Sequence, residues 1–194
     1  PCANNLIEAG IVKVNMAMED PNPLVAGRGR MLLQQAGITV ATGLLEAQAQ
    51  ALNIGFVSRM TRKKPWVRIK IAASLDGKTA LRNGASQWIT GEAARTDGHR
   101  WRARSCAIMT GIGTIKSDNP QLTVRHIETT RQPKKIVLDS QLSIPLGASL
   151  LQDESAIIFT ADHHNQAKIS QLTKLGVQVI PLPANDGTVD LEKM

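Results

Sequence analysis

The stretch AIIFTADHHNQAKISQLTKLGVQVI, residues 156–180, decides the fold. Ala156 to Phe159 is a short apolar run of the kind found in strands covered on both faces. Gln166 to Leu175 predicts a helix, closed by Gly176, the residue type that most readily takes the left-handed conformation past a helix end. Val177 to Ile180 is a second apolar strand. A strand, a helix and a strand in this order form a crossover unit, so the two strands run parallel. Working outward, Lys135 to Leu138 and Cys106 to Thr110 read as two more strands. Thr90-Gly91-Glu92 opens a helix running to about Arg104, with Thr90 or Gly91 as its N-cap. Trp66 to Ser74 reads as a further strand, ended by a turn at Leu75-Asp76-Gly77, and Asp186 to Met194 as the opening of another element. The expectation is an α/β domain around a largely parallel sheet.

Upstream the units are smaller. Ala3 to Ala9 predicts a helix ended at Gly10, Ile11 to Met18 has the alternation of a strand, and Asp20-Pro21-Asn22-Pro23 signals a turn. Gly29 to Gln35 predicts a short helix closed at Gly37, and Ile38 to Ala41 a strand. Leu44 to Met60 predicts one amphipathic helix with Leu45, Leu52 and Phe56 available for one face. These elements are too few to close a domain. Arg59, Arg62, Lys63 and Lys64 then crowd before Pro65, either as a solvated linker or as a segment that helps hold a phosphate. The boundary is placed there, giving domains over residues 1–62 and 63–194.

The chain has 194 residues, 42% of them hydrophobic, which suffices for one large domain or two small ones. Its formal charge of +7 favours an anionic partner: nucleic acid, a membrane surface or phosphorylated small molecules. Two Phe, three Trp and no Tyr leave few stacking platforms, so nucleic acid is not the expected partner. No run of eighteen apolar residues predicts a membrane span. Cys2 and Cys106 are too few for a disulfide framework and no secretory leader is evident, so a cytoplasmic location is expected. The chain opens on Pro1-Cys2 without an initiator Met, which predicts a longer parent.

Several residues could carry chemistry. Gly111-Ile112-Gly113-Thr114 follows the strand ending at Thr110 and is either a tight turn or a loop on which backbone approaches a cofactor. Position 116 is Lys where the dinucleotide fingerprint has its third Gly, which disfavours an ordinary Rossmann fold. Ser86, Trp88 and Thr90 precede a helix N-terminus, and Trp88 is either a core anchor or part of an anion or cofactor surface. Arg102 and Arg125 are either solvated charges or, if brought together, a phosphate clamp. Lys70 lies among Val67, Ile69 and Ile71 and either snorkels from a sheet edge or points into a polar site. His99, His126, His163 and His164 show no metal-ligand spacing, and no nucleophile elbow or Ser/His/Asp arrangement is present. Cofactor-borne hydride transfer fits such a set, because protein groups then mainly bind and orient.

Lys70-Ile71-Ala72-Ala73-Ser74-Leu75-Asp76-Gly77-Lys78-Thr79-Ala80, with Ser86-Gln87-Trp88-Ile89-Thr90-Gly91, resembles the bifunctional riboflavin-biosynthesis deaminase/reductase family. Arg102-Ala103, Gly113-Thr114, Asp118-Asn119-Pro120-Gln121-Leu122-Thr123, Arg125 and Val137-Leu138-Asp139-Ser140 agree in order and spacing. Upstream, Asp20-Pro21-Asn22-Pro23, Gly27-Arg28-Gly29, Ala36-Gly37-Ile38, Leu52-Asn53 and Phe56 are similar to the end of that family's deaminase domain. The resemblance implies a dihydrofolate-reductase-like fold, a mixed, mainly parallel sheet flanked by helices, preceded by the C-terminal part of a cytidine-deaminase-like α/β domain. It implies a reductase using NADPH to convert the ribosyl group of 5-amino-6-(5-phosphoribosylamino)uracil into a ribityl group. Ala72, Trp88, Thr114, Asp118 and Ser140 would contact the cofactor. Lys70, Ser86, Thr90, Arg102, Leu122 and Arg125 would contact the phosphorylated pyrimidine substrate. No catalytic proton donor is evident.

The family's deaminase half holds zinc through a His-x-Glu motif and two Cys. Of that set only Cys2 is matched, so this chain is not expected to deaminate, although an intact parent would. Asp20 and Asn22 would line that deaminase pocket. The family's substrate-binding Glu and a glycine-rich cofactor loop would lie beyond Met194. The resemblance also implies a homodimer or larger assembly. A stand-alone zinc-dependent pyrimidine deaminase and a basic nucleic-acid-binding module are the alternatives.

Overall fold

The computed structural model describes residues 2–153, 155–161 and 165–194, so His163 and His164 lie outside the described residues. The chain divides into two compact units, residues 1–69 and 70–194.

The first unit runs α1 (Cys2–Glu8), β1 (Lys13–Met16), α2 (Arg28–Gln35), β2 (Thr39–Thr42), α3 (Glu46–Leu52) and α4 (Ile54–Arg62). β1 and β2 pair in parallel, Lys13 opposite Thr39 and Met16 opposite Thr42, with α2 as the crossover. Gly10 and Gly37 take positive φ at the two helix ends, as the sequence predicts. Asp20-Pro21-Asn22-Pro23 forms consecutive side-chain turns. The Asn22 N–H donates to Asp20 Oδ1 at 2.8 Å, and the Leu24 N–H to Asn22 Oδ1 at 3.1 Å. Only Leu33 and Ile38 are buried hydrophobic residues among those described in this unit.

The second unit runs α5 (Glu92–Arg104), β3 (Ala107–Gly111), α6 (Ile112–Asp118), β4 (Lys134–Leu138), a 3-10 turn (Ser149–Gln152), β5 (Ala156–Ala161), α7 (Gln166–Lys174) and β6 (Gln178–Leu182). A two-residue hairpin, β7 (Ala184–Asn185) with β8 (Thr188–Val189), and a second 3-10 turn (Leu191–Lys193) follow. β3, β4, β5 and β6 lie in that order, all parallel, so the sheet is α/β as the stretch at 156–180 requires. Asn165 starts α7 by accepting the Ala167 N–H at 2.9 Å, and Gly176 closes it at φ +77°.

Val137 of β4 and Ala156 and Ile158 of β5 cluster with Ile115 of α6, Leu172 of α7, and Leu150 and Leu151 of the 3-10 turn. Each of the Val, Ile and Leu side chains among them contributes about 1.5–3 kcal/mol on burial. Two polar groups are built into this core. Asp139, fully buried, accepts the Ile144 N–H at 2.8 Å and the Ser143 hydroxyl at 3.1 Å, which ties the chain leaving β4 into a turn. Lys135, 1% exposed, donates to Leu150 O at 3.2 Å and pairs with Asp153 at 2.5 Å, fastening the 3-10 turn to β4. Lys135 and Ser155 both donate to the Asp153 carboxylate and hold its pKa below the ordinary value, against the opposing effect of burial.

Four expectations need correction. Trp66 to Ser74 forms no strand and joins no sheet among the described residues, and Val67, Ile69 and Ile71 are exposed. An alternating pattern becomes a strand only when a neighbour accepts its ladder bonds. The single helix over 44–60 is two helices. Asn53, at φ −106° and ψ 22°, breaks it while its side-chain amide donates to Ala49 O at 2.9 Å, and Leu45, Leu52 and Phe56 stay exposed. Arg59 and Arg62 belong to the last turn of α4, where cations suit the helix dipole, and not to a linker. The Gly111–Thr114 run opens a helix, α6, which the sequence reading leaves as a loop.

Candidate active site

The second unit carries a cleft of about 550 Å³. Its walls come from residues 70–90, which form no regular structure, from α5, from the end of α6 with the loop after it, and from Ser149 of the 3-10 turn. Lys70, Ala72, Ser86, Trp88, Thr90, Arg102, Asp118 and Arg125 all line it, so most residues singled out in the sequence meet in one place. Thr114, Leu122 and Ser140 are not in its lining. Thr114 lies exposed in the first turn of α6. Leu122 is 6% exposed and anchors its loop from beneath. The Ser140 hydroxyl accepts the Val189 N–H at 3.1 Å.

Four cations, Lys70, Arg95, Arg102 and Arg125, face a single carboxylate, Asp118, so the lining carries a formal charge of 4 − 1 = +3. No ion pair among the described residues neutralises these cations. Burial first, and then the neighbouring Arg125 guanidinium, lower the Arg102 pKa from its ordinary value. Arg102 is partly buried and Arg125 exposed beside it, so a bound anion would relieve their repulsion, and each can offer paired N–H donors to one.

The three arginines among these cations are held in place. Arg102 donates to Thr123 O at 2.9 Å and Arg125 to Gln121 Oε1 at 2.9 Å. Arg95 donates to Thr90 O at 2.6 Å and lies 4.5 Å from the Trp88 ring centroid. That cation–π contact holds an indole that is 71% exposed, so Trp88 is a surface platform and not a core anchor. Asn119, at φ +41°, ends α6 and accepts the Ser149 N–H at 2.8 Å, joining two walls of the cleft.

Beneath Arg125 lies His99, 6% exposed, its Nδ1 accepting the Arg125 N–H at 3.1 Å and its ring edge-on to His126 at 4.5 Å between centroids. Burial, then Arg102, His126 and Arg125, push its pKa down to about 4, so the imidazole is neutral near pH 7. Arg95, His99 and Asn119 belong to the site or its support although no sequence motif singles them out. Arg95, His99 and Arg102 recur at helical spacing (i, i+4, i+7), so a polar stripe on one face of α5 is the signal that reveals two of them.

The glycines after β3 leave open ground: a Cβ added at Gly111 or Gly113 meets no atom within 4 Å. The small Ala72, the exposed Trp88 plane and this bare backbone suit the close approach of a flat, phosphate-bearing cofactor. In the first unit Cys2 is exposed, and no group of three or more His, Cys, Asp or Glu that could hold a metal ion occurs among the described residues. Zinc therefore has no fitting donor set there. No helix among the described residues is long and apolar enough to cross a membrane.

A family model described as the RibD C-terminal domain matches residues 65–194. The riboflavin biosynthesis protein RibD of Bacillus amyloliquefaciens is 47% identical over 184 residues, covering 94% of this chain and 50% of that protein. Its counterpart in Actinobacillus pleuropneumoniae is 44% identical over 197 residues, covering 100% and 52%. Among solved structures, Acinetobacter baumannii RibD superposes with a TM-score of 0.85 at 43% identity, over 95% of this chain and 52% of that one. A diaminohydroxyphosphoribosylaminopyrimidine deaminase/5-amino-6-(5-phosphoribosylamino)uracil reductase from Thermotoga maritima gives 0.78 at 32% identity, over 92% and 56%. The chain spans about half the length of the curated relatives it matches.

Proposed function

The chain belongs to the RibD C-terminal domain family, and from that premise we propose that its second unit is the NADPH-dependent reductase of riboflavin biosynthesis. The substrate is 5-amino-6-(5-phosphoribosylamino)uracil, whose ribosyl group becomes ribityl. The first unit is the end of a zinc-dependent deaminase domain, and the intact parent is a bifunctional, cytoplasmic homo-oligomer.

The observation that carries this reading is the meeting of Lys70, Arg102 and Arg125 in one cleft with Trp88 and Ala72. The cations take the substrate phosphate. Ser86 and Thr90 offer hydroxyls to its sugar or base, and Leu122 supports the loop on which Arg125 stands. Ala72, Trp88 and Asp118 receive the cofactor, and Thr114 and Ser140, outside the lining of the cleft, complete its contacts. When bound, NADPH supplies a hydride from its nicotinamide C4 to ribose C1′, while a proton reaches the ring oxygen as the sugar opens. The chain's own residues hold two anionic molecules in register and keep the phosphate fixed, which turns a bimolecular encounter into an oriented one.

The test is binding to the natural-length protein. NADPH should quench Trp88 fluorescence, and Arg125→Ala should raise the KM for the phosphorylated substrate about 10- to 100-fold, as expected for loss of charge-assisted hydrogen bonds. NADPH affinity should change less than threefold. Equal losses for both ligands would remove Arg125 from a phosphate site.

A further inference from the structure

No backbone–backbone hydrogen bond among the described residues reaches residues 122–125, although Arg125 stands at the end of this segment. Side chains take over that work. The Val124 N–H donates to Gln132 Oε1 at 2.8 Å, and Gln132 Nε2 donates back to Val124 O at 3.2 Å, so one amide imitates a neighbouring strand. Arg102 donates to Thr123 O, and the Arg125 N–H donates to His99 Nδ1. Leu122 and Val124 are 6% and 5% exposed, so alternate side chains pin the segment from below while Arg125 is left in the cleft wall.

We propose that His99 and Gln132 are positioning residues for Arg125, fixing its backbone so that its guanidinium meets the substrate phosphate without reorganising. The inference rests on the reading of Arg125 as a phosphate ligand. His99 is suited to the task because a buried, neutral imidazole keeps a lone pair on Nδ1 for the Arg125 N–H. Gln132 is suited because Pro133, fully buried behind it, fixes an extended backbone at the root of β4. An Arg on an unpaired loop would have to be ordered at the moment of binding, and each immobilised side chain or loop residue lowers affinity.

Three variants of the natural-length protein test this: His99→Leu, His99→Asn and Gln132→Ala. Amide exchange at Arg125 is read without ligand, KM with 5-amino-6-(5-phosphoribosylamino)uracil, and cofactor affinity with NADPH alone. His99→Leu should speed Arg125 exchange at least tenfold and raise KM about tenfold, the equivalent of about 1.4 kcal/mol, while leaving NADPH affinity within twofold. His99→Asn, whose Oδ1 can accept where Nδ1 did, should return both readouts to within threefold of the parent. Gln132→Ala should move them in the direction of His99→Leu. Unchanged Arg125 exchange in His99→Leu and Gln132→Ala overturns the positioning role. So does a KM rise matched by an equal loss of NADPH affinity. If His99→Leu fails to fold, rapid Arg125 exchange in the parent protein overturns the proposal by itself. A parent that binds NADPH and substrate separates failure of the positioning role from failure of the reductase reading.

Discussion

Replacing Asp153 by Asn should be far more damaging than replacing its partner Lys135 by Met. The Lys135 side chain is 2% exposed and that of Asp153 46%, so the ammonium is inside and the carboxylate at the rim. Asp153→Asn leaves the ammonium buried with only neutral acceptors, Leu150 O and the introduced amide oxygen. Two unit charges at contact attract by about 1 kcal/mol in water and about 4 kcal/mol near a protein surface. With one partner buried and the other half-exposed, an intermediate loss of about 2–3 kcal/mol is expected. For a unit of this size that lowers Tm by about 8–12 °C. Lys135→Met removes the charge that needs compensation and keeps the volume, so its cost should stay under about 1 kcal/mol. The Asp153 pKa is depressed in the folded protein, so the pair's contribution is present above the ordinary carboxylate value and fades as pH falls through and below it. Thermal melts of both variants at pH 7 and pH 3.5 decide the matter. The difference between Asp153→Asn and the parent should be large at pH 7 and shrink at pH 3.5. A Lys135→Met protein less stable than Asp153→Asn would refute the reasoning. The pair also matters to the cleft, because it fastens the turn whose Ser149 forms one wall, so Asp153→Asn should raise KM modestly as well.

Other outcomes follow from single observations. His99 has a folded pKa of about 4 against an ordinary 6.5, so the unfolded chain binds more protons between those values and stability falls as pH drops through that window. The loss is about 3 kcal/mol at most, less because the cleft admits water, and His99→Asn should flatten the pH dependence measured by urea titration from pH 7 to 4. Ile158→Ala, at a fully buried position between β4 and β6, should cost about 3–4 kcal/mol by denaturant titration; a loss under about 1 kcal/mol would contradict the packing described. Arg95→Ala removes the cation over Trp88 and the bond to Thr90 O, and should weaken NADPH binding several-fold with little change in Tm; a large drop in Tm instead would make Arg95 a structural residue.

The parallel sheet was legible because the apolar runs Lys135 to Leu138, Ala156 to Phe159 and Val177 to Ile180 are local signals, and Gly176 marks where the crossover helix must stop. Lys70 stood out among its apolar neighbours, Arg102 and Arg125 only through the family resemblance, and those three meet in the cleft. Less legible was anything that depends on a partner distant in the chain. The run from Trp66 to Ser74 has a strand's pattern, yet it joins no sheet among the described residues. The helix from Leu44 has a continuous periodicity, yet Asn53 caps one helix and starts the next.

Residue types and their spacing thus determined the class of fold and most of the strand and helix order, because those properties act over one turn or one pleat, while for Lys70, Arg102 and Arg125 they left a solvated charge and an anion site both open. The tertiary structure decided that Arg102 and Arg125 are neighbours, that His99 must be neutral, and that Gln132 serves as the missing strand beside Val124. Each of those is a relation between segments many residues apart, fixed by burial and by where unpaired backbone groups find partners, which no local pattern encodes.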